Sequence, residues 1–212
     1  MEAIKIEYLR DSLRTYLDRL ASGDPVPGGG SAAALTLSLA AGLLSMTANF
    51  TIGKKRLAAF EAEAKKILEK TESVRRKAAE LVEEDSRVYL QYRQAAALEK
   101  TDPNRAEALK EAVREGNRLL LEIAGLTKQL LPEAELLRQK GNPYLLSDVA
   151  CAASLLRAAF ESAEINVLIN LSGQPDLPEA DETRKTLQIM RESVLTEAER
   201  ILAEVKQKLS EQ

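Results

Sequence analysis

The residues able to do chemistry fall into a few short stretches. The first is Pro25-Val26-Pro27-Gly28-Gly29-Gly30-Ser31, where three glycines run directly into a helix start. Glycines there permit close approach to the backbone and leave first-turn N–H groups for a polar ligand edge. A simple corner between helices does not need two prolines and three glycines. No Lys-Ser/Thr follows, so the stretch is not a Walker loop. Gly28, Gly30 and Ala33 satisfy GxGxxA, but no strand precedes them, which removes the dinucleotide reading. The second candidate is Asp85, a carboxylate where the apolar repeat calls for Leu or Val. In that position it must be hydrogen-bonded, protonated or paired, and a salt bridge to a neighbouring helix is the structural alternative. Lys54-Lys55-Arg56 is a basic knot that suits an anionic tail, or equally a solvated helix start. Asn142 lies in Gly141-Asn142-Pro143, and Ser147-Asp148 after it has the chemistry of a helix cap. Asn166 and Asn170, one turn apart with Ser162 before them, form an amide ridge on a mostly apolar segment, for which interhelical hydrogen bonding is the simpler role.

What the chain lacks narrows this chemistry. It has no His, so Ser-His-Asp and Cys-His catalysis and His-ligated zinc are excluded. Cys151 is its one cysteine, which excludes an internal disulfide or a CxxC motif and suits a reducing cytosol. No metal site is expected. With 30 basic and 33 acidic residues the net charge is −3, without the basic excess of a nucleic-acid binder. Charges interrupt the first apolar residues, so the N-terminus is not read as a signal peptide and a cytoplasmic location is expected.

The elements that must hold these residues are helices. Gly and Pro are few, and six of them fall within Gly23–Gly30, while Ala, Leu, Glu, Lys and Arg fill the intervals. No run alternates as a strand would. Periodicity predicts a first helix from about Ile4 to Ala21 through Ile6, Leu9, Leu13, Tyr16 and Leu20. A second is expected from Ser31, as N-cap, to near Gly53, with a stripe of Leu35, Leu39, Leu43, Met46 and Phe50. It is uncharged from Pro25 to Gly53, but its seven Ser, Thr and Asn residues suit a helix buried on all sides of a bundle better than a membrane span. The third segment, Lys55 to about Leu98, steps by four and three from Phe60 through Asp85 to Ala95. It is too long for a compact monomer unless it breaks or pairs with a partner. The fourth opens at Thr101-Asp102-Pro103, should kink at Pro132 and ends at Gly141. The fifth is expected from Ser147 or Asp148 to Ser172, and the last from about Pro178 to Leu209. The fold class is therefore all-α, a bundle of about six helices in one domain, residues 1–212, with an apolar dimerisation seam.

Four blocks in order carry a resemblance. They are Pro25-Val-Pro-Gly-Gly-Gly-Ser31-Ala-Ala, Met46-Thr-Ala-Asn-Phe-Thr-Ile-Gly-Lys-Lys55, Gly141-Asn-Pro-Tyr-Leu-Leu-Ser-Asp148 and Asn166-Val-Leu-Ile-Asn170-Leu. Together they resemble the cyclodeaminase/cyclohydrolase family of folate enzymes. The resemblance implies a helical homodimer that forms or hydrolyses 5,10-methenyl-tetrahydrofolate. The tetrahydrofolate derivative is its substrate and no prosthetic group is bound; whether a formiminotransferase partner exists is left open. Within this resemblance Asp85 and Asp148 are the expected catalytic carboxylates. Pro27, Gly28, Gly29, Gly30 and Ser31 would hold a polar ligand edge, Asn142, Ser147, Asn166 and Asn170 would bind substrate, and Lys54 and Lys55 would meet its glutamate tail. The competing reading is a non-enzymatic helical adaptor, for which Asp85 and the glycine loop have no use.

Overall fold

The computed structural model describes residues 6–174 and 176–211, and among them there is no strand. The six helices are α1 (Leu13–Leu20), α2 (Gly29–Thr51), α3 (Glu61–Ala97), α4 (Arg105–Lys140), α5 (Leu146–Gly173) and α6 (Ala180–Ser210). Short 3₁₀ turns at Lys55–Phe60 and Pro143–Leu145 lead into α3 and α5.

The long seam positions of α3 are buried as the four-three spacing predicts, from Phe60, Ala64 and Ile67 through Thr71, Val74, Ala78 and Leu81 to Val88 and Ala95. The helix does not break. Its 37 residues make a rod of about 55 Å. α4 is equally continuous: Pro132 sits inside it without ending it.

Several expectations are corrected. The first helix begins at Leu13, where Ser12 caps it by accepting from the Thr15 N–H; Met1 to Lys5 lie outside the described residues. Leu9 and Leu13 are exposed and only Tyr16 of that stripe is fully buried, because no helix covers the other positions. Ser31 is not the N-cap of α2. Gly28 holds that position, without a side-chain bond, and Ser31 points inward. The fourth helix starts at Arg105, after a turn in which the Asp102 carboxylate accepts from the Asn104 N–H. Neither Ser147 nor Asp148 caps α5. Asn142 caps the preceding turn by accepting from the Tyr144 N–H, and Ser147 and Asp148 lie within the first turn.

The second helix is also not buried on all sides. Its inner row is Ala33, Ala34, Leu37, Ala40, Ala41, Leu44 and Ala48, and these small side chains let α3 and α5 pack closely against it. The expected stripe is the outer row: Leu39 and Phe50 are exposed, and Leu35, Leu43 and Met46 are half-buried. By length and composition α2 is the one described helix able to cross a membrane, yet it packs between α3 and α5.

Candidate active site

Where the N-terminus of α2 meets α3, α4 and the C-terminal end of α5, the helices leave a cavity of about 550 Å³. That size suits a small-molecule site. One wall is the glycine turn, Gly28 to Gly30 with Pro25 and Val26 behind it. Opposite stand Asn166, Ile169 and Asn170 of α5. Asp85, Val88, Tyr89 and Tyr92 come from α3, with Ala112, Val113, Gly116 and Leu120 from α4.

Among the described residues, Asp85 is the only charged one lining the cavity. Among the described residues it has no ion pair, so the structural alternative of a salt bridge is not what holds it. The Ser31 backbone N–H donates to its carboxylate instead. Burial pushes its pKa up from the ordinary 3.8 to about 6, with that hydrogen bond working in the opposite direction. The glycines are needed here for space. A Cβ on Gly30 would stand 2.0 Å from Asp85 Oδ1, and one on Gly29 would stand 2.9 Å from Asn166 Nδ2. Neither has a positive φ.

Behind the turn, Ser31 is fixed by a buried relay. Its Oγ donates to the Val82 carbonyl at 2.8 Å, so the Tyr16 hydroxyl, 3.1 Å away, is the donor to Ser31 Oγ. This ties α1, α2 and α3 together one turn from Asp85. On α5, Asn166 Nδ2 donates to the Ser162 carbonyl, and Asn170 Nδ2 donates to Asn117 Oδ1 on α4. Each asparagine thus spends an N–H on structure and retains its own carbonyl oxygen for the cavity. Tyr89 and Tyr92 stack 6.2 Å apart at 29° and form an aromatic wall near Asp85.

The structure therefore brings together Gly28, Gly29, Gly30, Asp85, Asn166 and Asn170, with Pro27 and Ser31 immediately behind the wall. It does not bring Asp148 to Asp85 within one chain. α2 and α5 are antiparallel, since Asn142 ahead of α5 bonds Thr51 and the Phe50 carbonyl at the far end of α2. The 18 residues from Asp148 to Asn166 on α5 span about 27 Å. Lys54, Lys55, Asn142, Ser147 and Asp148 gather at that opposite end. Sequence spacing did not single out Tyr16, Tyr89, Tyr92, Gly116 or Asn117 as site residues. Tyr89 and Tyr92, one and two turns beyond Asp85 on its own helix, were the readable signal.

Residues 12–189 match the family model described as formiminotransferase-cyclodeaminase. A methenyltetrahydrofolate cyclohydrolase of Methylorubrum extorquens is 36% identical over 94% of this chain and 98% of its own length. The formimidoyltransferase-cyclodeaminase of Rattus norvegicus is 29% identical over 90% of this chain, which spans only 36% of that longer protein. The solved formiminotetrahydrofolate cyclodeaminase from Thermotoga maritima superimposes with a TM-score of 0.81 at 31% identity, over 96% of this chain and 98% of that one. With the cavity, its unpaired carboxylate and these likenesses in place, the chain belongs to the formiminotransferase-cyclodeaminase family.

Proposed function

We propose that this protein is a folate one-carbon enzyme that forms or hydrolyses 5,10-methenyl-tetrahydrofolate, with Asp85 as its proton carrier. One observation carries the reading: among the described residues, a carboxylate without a cationic partner, held by a glycine-turn N–H, is the sole charge lining a ligand-sized cavity.

The chemistry asks for such a group. In hydrolysis, water attacks the methenyl carbon and must lose a proton. As the C–N5 bond breaks, N5 gains a proton and the remaining hydroxyl loses one, giving the 10-formyl compound. The net reaction releases one proton as the cation is discharged. In cyclodeamination, N10 attacks the protonated formimino carbon and loses its proton, and the amino nitrogen takes one as ammonia leaves. In both directions a proton is collected at one atom and delivered to another close by. A single carboxylate with a pKa near 6 is mostly ionised at neutral pH and still a reachable donor. Its negative charge also stabilises the cationic amidinium in a poorly solvated cavity. In this reading the carbonyls of Asn166 and Asn170 would accept from pterin N–H groups, and the Tyr89–Tyr92 wall would offer an aromatic ring a stacking surface.

The protein acts as a soluble, cytoplasmic homodimer in this reading. The support is the outer row of α2, where Leu39 and Phe50 stand exposed and Leu35, Leu43 and Met46 are only half-buried by the described residues. The function is tested by following absorbance at the methenyl band with 5,10-methenyl- and 5-formimino-tetrahydrofolate in turn. Loss of the band with the first or its appearance with the second is expected, and inertness toward both overturns the reading.

A further inference from the structure

We propose that a second copy of this chain completes the cavity, its Lys54-Lys55-Arg56 knot supplying the cations that meet the carboxylates of the substrate's glutamyl tail. This rests on the folate reading above. Among the described residues the cavity wall contains Asp85 and no Lys or Arg, so they offer an anionic tail no partner there. The knot is exposed, and among the described residues none of its three side chains is in an ion pair. In its own chain it lies beyond the far end of α2, about 34 Å of helix from the glycine turn.

The surface joining these two ends shows how they meet. α2 has no charged residue, and every exposed residue of α5, from Ser147 through Cys151, Ser154 and Ala158 to Ile169, is uncharged as well. The half-exposed Arg157 and Glu161 of α5 pair with each other, and Arg157 also reaches Glu199 of α6, so the charges of mid-α5 lie toward α6. The row shared with α2 is a face fitted for burial, not for water. Its large apolar groups are distributed symmetrically. Leu39 (55% exposed) lies one residue from the midpoint of α2, Phe50 (53%) is at the knot end, and Ile165 (53%) and Ile169 (61%) are at the cavity end. A two-fold axis through the middle of α2 sets Leu39 against its own copy and Phe50 of each chain beside Ile165 of the other. The same operation carries the knot, with Asn142 and Asp148 beside it, to the mouth of the partner's cavity. The occupant of the face is thus a second copy, because this one arrangement pairs both ends at once.

Two experiments decide it. In the first, Asp85→Asn protein is mixed with a Lys54→Ser/Lys55→Ser/Arg56→Ser variant after denaturation and refolding together. Each variant alone should be weak, the first in kcat and the second in KM for a polyglutamylated substrate. The mixture should recover about a quarter of wild-type activity, because random pairing makes half the dimers mixed and each mixed dimer has one intact site. No recovery, with mixed dimers shown by native mass spectrometry, overturns the shared site while leaving the folate reading intact. The second needs no turnover. In a Cys151→Ala background, Phe50→Cys and Ile165→Cys in one chain should be joined by a short bis-maleimide into covalent dimers. Within a chain the two positions are more than about 20 Å apart along the antiparallel pair. Monomer alone, or adhesion of this face to neutral lipid vesicles in place of dimer, overturns the proposal.

Discussion

Asp85 links catalysis to stability. An acid whose native pKa is about 6 against an ordinary 3.8 binds its proton more tightly when folded. Its contribution is therefore fully present below about pH 4 and is lost as pH rises through about 6, leaving the native state about 3 kcal/mol less stable there than in acid. Asp85→Asn should lower kcat roughly 10²–10⁴-fold, while chemical denaturation at pH 8 shows a variant more stable than wild type by up to about 3 kcal/mol, the gap closing toward pH 4. A steep loss of stability would instead mean a cation depends on this carboxylate. For the wild type, the base-assisted step should give a kcat/KM profile that rises through about pH 6. Tyr16→Phe removes the donor to Ser31 Oγ; about 1 kcal/mol of stability should go, with a small shift of that pH profile because the Ser31 N–H moves relative to Asp85. That Asp85 is out of place was legible in the seam. That nothing cationic faces it was not, since this depends on how α2 and α4 are set against α3.

Among the elements, those read most fully are the ones whose pattern is one-sided. α3 alternates a narrow apolar seam with charged positions, so its buried face follows from spacing alone. α2 is apolar all round, and a helix without a polar side does not announce which row turns inward; the small residues that admit α3 and α5 decide it. The first helix failed for the opposite reason: its apolar repeat is real, but the fold supplies no surface to cover Leu9 and Leu13. The separation of Asp148 from Asn166 was readable in principle, as both lie on one helix. Two element-level changes are informative. Gly30→Ala places a Cβ where Asp85 Oδ1 now sits, so catalysis should be lost with helicity by circular dichroism retained. Glu135 on α4 is pushed up by burial, but hydrogen bonds from Arg138, Arg200 and Gln139 outweigh this and hold it at about 2. Its stabilisation is present above the ordinary 4.5 and lost as pH falls through about 2. Glu135→Ala should lower stability by about 2 kcal/mol, less than the 3–5 typical of a broken buried pair, because Glu204 still meets Arg138 and Arg200.

For the molecule as a whole, light scattering at micromolar concentration should give a mass near twice the 23.3 kDa of one chain. A Leu39→Glu substitution should reduce it to one, since burying a carboxylate against its own copy at a two-fold axis brings like charges together. The arrangement of α2 also bears on how the chain leaves the ribosome. Its one inner face needs α3, which follows at once, and α5, which is complete only at Gly173, some 120 residues after α2 ends at Thr51. At synthesis rates of about 5–20 residues per second this leaves an apolar, charge-free helix half-covered for about 6–24 s. Nascent chains stalled after Lys140 should therefore be held by chaperones or aggregate, and those stalled well beyond Ser210 should not.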